Sequence, residues 1–339
     1  DALEAAADFS EALGAPAYQT SIPYGAHFLS ERPAFMGALT RDQANVRETL
    51  APYDLMIVLG SDVLTMSVDS EIDPKPPGMA IVQIGLDDWE MGKNYPTEIA
   101  IRADVRETLE ALTPILKSRG GDGLKDAAQS RLGALAERNW SARRRERIAA
   151  IEGLSDQTPI NGDWLTLKLV EALPDNAILV QEGLTTTRNT IFDLYPYRDR
   201  YGFHGLASGG IGWSLPAAVG IQIANPDRPV TTIVGDGSAM YSVQALWTAA
   251  HHKLPMTYVI CNNGGYRIIK QRLKSFHGDE NYVGMDFADP PLDWVGLARS
   301  MGMSAVRVAD PGELESVLRR ACSGENGPTL VEVVVEDHV

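Results

Sequence analysis

Cysteine is nearly absent from this chain. Cys261 and Cys322 are the two present among 339 residues. That excludes a disulfide framework and fits a reducing cytoplasm. Cys261 falls inside an apolar run, where it reads as a small buried hydrophobe. Basic residues are few beside acidic ones, 30 Lys and Arg against 45 Asp and Glu, for a net charge of −15. The balance argues against a nucleic acid or an anionic membrane as partner. No apolar run reaches the length of a membrane span, and no signal peptide is visible. Six histidines (His27, His204, His251, His252, His277 and His338) include no pair with zinc-like spacing. No glycine-rich dinucleotide fingerprint appears either. What remains is an ordinary globular composition, 44% hydrophobic and 22% charged, long enough for two domains with their own cores.

The stretch from Thr231 to Ile268 organises the rest. An apolar β-branched run, Thr231 to Val234, ends at Gly235-Asp236-Gly237. A helical segment is expected from Ala239 to His252, with Leu246, Trp247 and Ala250 on one buried face. A second apolar run, Met256 to Cys261, ends at Asn262-Asn263-Gly264-Gly265. This is one strand–helix–strand unit with parallel strands. Asp236 and Asn263 then lie just past two strand ends, where open α/β sheets bind ligands. Asp and Asn oxygens with a loop carbonyl are hard ligands, suited to Mg²⁺ beside phosphate oxygens. The helix after Gly237, with Ser238 at its cap, offers N–H groups to an anion. Together they describe a metal–diphosphate site. A plain pair of turns in an unrelated α/β domain is the bland alternative.

Gly235-Asp236-Gly237 followed by Asn262-Asn263 resembles the thiamin diphosphate signature. The neighbouring residues are similar to the branch holding benzoylformate decarboxylase and the acetolactate synthase-like enzymes. The resemblance implies Asp236, Asn263 and the Gly265 carbonyl as ligands of Mg²⁺. It covers nearly the whole chain.

Residues 1–120 read as a central domain of β-α-β alternation. A helix spans Asp1 to Leu13, with Gly14 as its stop. Strands are expected at Ala17–Ile22, Tyr53–Gly60 (a buried parallel one), Ala80–Ile84 and Glu98–Arg102. Helices are expected at Arg41–Ala51 and Asp104–Lys117. The IGLDDWEMGKNYPTEIAIRADVRETLEAL run resembles the family's central domain. A Rossmann-like half usually opens on a strand, and none precedes the first helix. Either the sequence starts inside a domain or the domain lacks that strand. A glycine-rich break at Ser118–Gly123 leads to a helical linker, 121–157, whose Arg143, Arg144 and Arg145 read as a solvated face.

Residues 158–339 read as the diphosphate-binding domain. The fold class is thus α/β, two doubly wound domains with mainly parallel sheets, the second of thiamin diphosphate-binding type. Helices are expected at Trp164–Leu173, 214–224, Trp294–Met301 and Glu313–Cys322. Strands are expected at Ala177–Val180, Ala305–Val308 and Thr329–Val335. By the resemblance, Gly183, Leu184 and Thr185 approach the diphosphate, with Gly235, Gly237, Ser238 and Tyr266. Ile211, after Gly209-Gly210, is the bulky residue that bends the cofactor, and the Gly209 carbonyl meets its pyrimidine amino group. Ile268 lines the substrate pocket. His204 and His277 are loop candidates for proton transfer, and one of Arg267, Lys270, Arg272 and Lys274 could meet a substrate carboxylate. The family's catalytic histidine context, R-H-P-x-F-x-G, here reads Glu31-Arg32-Pro33-Ala34-Phe35-Met36-Gly37. Arg32 replaces the histidine, which counts against benzoylformate itself; His27 stands nearby.

The implied cofactors are thiamin diphosphate and Mg²⁺. The implied reaction is decarboxylation of a small-molecule 2-oxo acid through an ylid and an enamine. An acetolactate synthase-like carboligase is the alternative. The family's activating Glu sits on an N-terminal pyrimidine-binding domain not found here. The chain then belongs to a homodimer or homotetramer of a longer protein, or it is a separate cofactor-binding subunit needing a partner chain. A third reading is a non-catalytic Mg²⁺–nucleotide module.

Overall fold

Short apolar runs alternate with helices along the chain, and in the computed structural model they pair as parallel sheets. Residues 1–20, 24–66, 70–187, 190–325 and 327–338 are described. One compact unit comprises the described residues of 1–23, 27–143 and 196–200, and a second comprises 24–26, 144–195 and the described residues from 201 on.

In the first unit, α1 (Ala2–Leu13) begins on the Asp1 carboxylate, which accepts the Leu3 N–H, and stops at Gly14 in the left-handed region. There follow β1 (Ala17–Gln19), β2 (Phe35–Ala38), α2 (Gln43–Leu50), β3 (Leu55–Leu59), β4 (Ala80–Gly85), β5 (Ile99–Arg102) and α3 (Val105–Leu135). Strand β1 pairs with β2, and β3, β4 and β5 form a second sheet. Val46 and Leu50 of α2 pack with Met79, Tyr53 and Met56. Phe35 stacks on Phe28 at 5.5 Å and meets the buried Trp140 ring at 6.3 Å. The helix α4 (Trp140–Glu152) follows.

Several expectations are corrected here. The strand read over Ala17–Ile22 is three residues long; Ser21 and Ile22 lie outside the described residues. Strand β3 is parallel but not buried, because it lies at a sheet edge with β4 as its partner; Leu55 is 45% exposed. The break at Ser118–Gly123 shrinks to one non-helical residue, Gly121, and α3 resumes to Leu135. It resumes because Ala128 packs on α1: its backbone fills the place a Cβ on Gly14 would need. Arg143 and Arg144 are not a solvated face. Arg143 donates to the Met36 carbonyl, and Arg144 to the Leu194 carbonyl at 2.8 Å.

The second unit holds α5 (Gly162–Ala172), β6 (Ile178–Glu182), α6 (Leu184–Thr187), α7 (Thr190–Leu194), β7 (Phe203–Gly205) and α8 (Ser214–Ala224). Then come β8 (Val230–Gly235), α9 (Asp236–Ala239), α10 (Ala245–His251), β9 (Met256–Asn262) and α11 (Arg267–His277). The chain closes with α12 (Trp294–Ser300), β10 (Ser304–Val308), α13 (Pro311–Cys322) and β11 (Thr329–Val334). Among the described residues the strands make one parallel sheet, ordered β10-β11-β9-β8-β6-β7. From β6 the chain goes outward to β7, then returns past β6 to β8 and β9. That reversal opens a crevice beyond the carboxyl ends of β6 and β8. Ile178, Val180, Val234, Tyr258 and Ile260 of the sheet bury against Leu215, Leu246 and Trp294. The Tyr258 hydroxyl donates to the Leu215 carbonyl at 3.1 Å, fixing α8 over β9.

The helix expected from Ala239 to His252 is two pieces, α9 and α10, with an irregular stretch between them. Because α10 starts only at Ala245, its inward face is Ala245, Leu246 and Ala249. Trp247 turns outward, 55% exposed, stacked on His251. Both cysteines are free and buried. No helix among the described residues is long and apolar enough to cross a membrane.

Gly14→Ala tests the α1–α3 contact. Its Cβ would sit 2.6 Å from the Ala128 carbonyl oxygen, at φ 63°. The variant is expected to lose about 2 kcal/mol in urea unfolding. An unchanged midpoint would contradict the packing described.

Candidate functional site

Asp236 is the first residue after β8 and is 1% exposed. A carboxylate that deep needs donors, and three backbone N–H groups supply them. Oδ1 accepts Gly237 N–H at 2.8 Å; Oδ2 accepts Gly264 N–H at 2.8 Å and Gly265 N–H at 3.1 Å. The loop after β9 is therefore folded onto the carboxylate after β8. Burial pushes the Asp236 carboxyl up to about 6, outweighing the N–H groups that pull it down. A cation at the carboxylate reverses that balance.

The two asparagines at the end of β9 do different work. The Asn262 amide donates to Glu332 at 2.7 Å, its side-chain oxygen accepts Gly264 N–H at 3.1 Å, and its carbonyl accepts Val335 N–H at 3.0 Å. Asn262 is thereby consumed by the scaffold. The Asn263 Oδ1 is buried and has no hydrogen-bond partner in the structure. An orphaned buried acceptor costs about 1–3 kcal/mol, and a bound cation is one group that removes the cost. Ser238 Oγ, two residues after Asp236, is likewise buried and unpaired. Ser238 does not cap the helix as expected; Gly235 holds that position and Ser238 lies inside the short turn α9.

Two glycines here are required by close approach. A Cβ on Gly265 would meet the Met285 carbonyl at 2.3 Å, and one on Gly237 would meet the Tyr266 ring at 2.7 Å. Tyr266 packs edge-on to Phe287, with ring centres 4.9 Å apart. The structure thus gathers Gly235, Asp236, Gly237, Ser238, Asn263, Gly265 and Tyr266. Among the described residues no three His, Cys, Asp or Glu side chains are spaced for a metal. The donor set is instead one carboxylate, one amide oxygen and a carbonyl, which suits a hard cation that keeps non-protein oxygens.

On the other side of the crevice, at the end of β6, Glu182 is fully buried. Its carboxylate accepts Gly212 N–H at 2.6 Å and Ser214 N–H at 2.8 Å. The Gly212 carbonyl accepts the Ser242 hydroxyl at 2.7 Å. Gly212 has φ +87°, and a Cβ there would strike Tyr241 at 2.4 Å. The turn carrying Gly209, Gly210 and Ile211 is therefore pinned on its C-terminal side, with Ile211 half-buried and both glycines exposed. Gly183, Leu184 and Thr185 follow Glu182 directly. Gly183 closes on Thr187, and Leu184 holds φ +45°, a strained value for a leucine.

Other candidates are not gathered there. His204 lies on β7 and lines a groove with Tyr201, Ala217, Gly220, Ile221 and Ala224. Ile268 is half-buried on α11, and His277 is exposed at its end. The nearby cations are committed elsewhere. Arg267 is buried on the chain's C-terminal segment, Lys270 pairs with Asp286, Lys274 with Glu280, and Arg272 lies over the Phe276 ring. In the first unit, Arg32 is held by Glu4, Asp8 and Glu11 of α1 at 2.5–3.2 Å. Burial lowers the pKa of His27. Glu182, Ser242 and Arg267 as anchors escaped the sequence reading. A charged residue closing an apolar strand, as in Gln181-Glu182-Gly183, is the one signal that could have drawn attention to the first.

Comparisons with known proteins place the chain in a family. Residues 1–112 match the family model "Thiamine pyrophosphate enzyme, central domain", and residues 186–333 match "Thiamine pyrophosphate enzyme, C-terminal TPP binding domain". The chain is 31% identical to benzoylformate decarboxylase of Pseudomonas aeruginosa over 97% of its own length and 57% of the relative's. It is 29% identical to the acetolactate synthase large subunit of Parasynechococcus marenigrum, covering 83% of this chain and 43% of that one. Among solved structures it superposes on the Rhodococcus jostii thiamine diphosphate-dependent 4-hydroxybenzoylformate decarboxylase with a TM-score of 0.80. That match has 27% identity and covers 99% of this chain and 59% of that chain. The chain thus spans somewhat more than half the length of these two decarboxylases.

Glu182→Ala removes the acceptor of the Gly212 and Ser214 N–H groups. It is expected to destabilise the chain by at least about 2 kcal/mol, read as a lower urea midpoint, with Glu182→Gln intermediate. Equal midpoints for all three proteins would show that the turn is held without it.

Proposed function

The chain belongs to the thiamine pyrophosphate enzyme family, and from that premise we propose that its second unit holds the diphosphate end of thiamin diphosphate through Mg²⁺. In this reading the ion sits on the Asp236 carboxylate, Asn263 Oδ1 and the Gly265 carbonyl, in an enzyme that decarboxylates a 2-oxo acid. The unpaired, buried Asn263 Oδ1 beside a buried carboxylate is the observation that carries the reading. When bound, the cofactor supplies a carbon nucleophile that holds the electron pair left behind as CO₂ departs.

This chain's residues bind and orient. Asp236 and Asn263 neutralise the anion through the metal. Gly237 admits Tyr266 beside the metal loop, and Ser238 Oγ is a donor for a diphosphate oxygen. Gly183, Leu184 and Thr185 present backbone and hydroxyl groups from the β6 side. The pinned turn sets Gly209 and Ile211 under the pyrimidine half. Ile268 faces the substrate end. His204, in its groove along α8, stays outside this reading.

In this reading Arg32 takes the place of the family's histidine and is neutralised by three carboxylates of α1, which counts against benzoylformate itself as the 2-oxo acid. The activating Glu comes from a pyrimidine-binding domain, on a facing copy of a longer chain or on a partner. Similarity to an acetolactate synthase large subunit supports carboligation as a second outcome of the same site.

Thermal melts of this chain with thiamin diphosphate and Mg²⁺ test the cofactor assignment. Stabilisation of about 2.7 kcal/mol is expected at a hundredfold excess over Kd. It requires both components and is lost in Asp236→Ala and Asn263→Ala. Undiminished stabilisation of Asp236→Ala would remove the metal assignment, and no shift in the unsubstituted chain would remove the cofactor. The reaction is tested with the pyrimidine-binding domain present: CO₂ release from aliphatic 2-oxo acids should exceed that from benzoylformate. The reverse order would restore the aromatic substrate.

A further inference from the structure

Arg267 stands two residues after Gly265 and is 3% exposed. Its guanidinium is spent on the C-terminal segment. Nε donates to the His338 carbonyl at 2.9 Å and Nη1 to the Glu336 carbonyl at 3.0 Å, while Nη2 pairs with Glu336 Oε1 at 3.5 Å. On the other side of the metal loop, Val335 N–H donates to the Asn262 carbonyl at 3.0 Å. The same short segment therefore grips the chain just before Asn263 and just after Tyr266.

That segment is itself fastened to the body of the unit. Ile160 N–H donates to the Val334 carbonyl at 3.2 Å, and Glu336 N–H to the Ile160 carbonyl at 3.1 Å. Glu336 Oε2 accepts the Asn161 amide at 3.1 Å, and Asn161 Oδ1 caps α5 through Asp163 N–H and Trp164 N–H. Between the two grips lie Asn263, Gly264, Gly265 and Tyr266. Gly264 sits at φ +74°, and within the loop the Gly264 and Gly265 N–H groups are held by Asp236 while the Gly264 carbonyl accepts Phe287 N–H at 2.8 Å.

We infer that residues 335–338 form a clamp that sets the affinity of this loop for its cation, with Arg267 as the positioning residue that transmits it. The inference rests on the cation-site reading above. Holding both ends fixes the amide and the carbonyl before the ion arrives, so binding spends less on ordering the loop. Groups that orient ligands from behind typically change metal affinity about 10–100-fold when altered. Lys cannot replace Arg267, because three donors in a planar fork are in use.

The test is a Mg²⁺ titration of this chain at saturating thiamin diphosphate, read by calorimetry and by tryptophan fluorescence. Arg267→Lys is expected to raise the Mg²⁺ Kd about 10–100-fold. A purely structural role would lower the melting point of the ligand-free chain and leave the Kd of the folded protein unchanged. Should Arg267→Lys fail to fold, Glu336→Gln keeps both carbonyl contacts and is expected to raise the Kd in the same direction by a smaller factor. A folded variant whose Kd stays within about twofold overturns the clamp. If the unsubstituted chain binds no Mg²⁺, the cation-site reading fails and takes the clamp with it; a normal unsubstituted titration with an unmoved Arg267→Lys Kd overturns the clamp alone.

Discussion

A carboxylate buried at the end of a parallel strand is the constraint from which the site follows. Backbone N–H groups meet the Asp236 carboxylate. Two of the three donors come from a loop 28 and 29 residues further on. To deliver them, Gly264 and Gly265 must turn their N–H groups inward, and the Met285 carbonyl then leaves no room for a Cβ on Gly265. The Asn263 side chain is what that loop leaves unused. The composition of the loop, asparagine followed by two glycines, is the local consequence of solvating one charge without water.

Glu182 applies the same solution one strand away. It lies opposite Val234 in the register of β6 and β8, so the two carboxylates stand at neighbouring strand ends. Again backbone N–H groups, here Gly212 and Ser214, meet the charge. The strand-order reversal that creates the crevice is thus lined by two acidic groups, each holding a different glycine-containing turn. One carboxylate organises the loop after β9, and the other organises the turn that carries Ile211.

Much of this was legible in the residues, and the divide falls where physics predicts. Strands β6, β8, β9 and β11 read directly from apolar runs, and Asp236 and Asn263 from the polar residues that end two of them. Helix α1 was framed by Asp1 and Gly14, which act through neighbouring residues. The anchors were not legible, because their partners are distant: Glu182 to Gly212 spans 30 residues, and Arg267 to His338 spans 71. Trp247 falls on the outer face because α10 begins at Ala245 rather than continuing one helix from Ala239. The apolar run of β3 does not reveal that it lies at a sheet edge, where no further strand covers it among the described residues. Arg32 was recognised as a replacement for histidine, but the three carboxylates that hold it lie on α1.

The two buried carboxylates also explain why a metal, and not an arginine or lysine, suits this diphosphate. An anionic ligand brought to the crevice would approach a region that already holds two buried carboxylates, Asp236 and Glu182. The nearby cationic side chains are already engaged: Arg267 on the C-terminal segment, Lys270 on Asp286 and Lys274 on Glu280. Freeing any of them would break an existing pair, and freeing Arg267 would leave Glu336 without its buried partner. A divalent ion adds charge without such a loss. At the site proposed above it would satisfy Asn263 Oδ1, offset the desolvation that raises Asp236, and leave positions for phosphate oxygens. In that reading the fold spends its nearby cations on holding loops and leaves charge neutralisation to an ion.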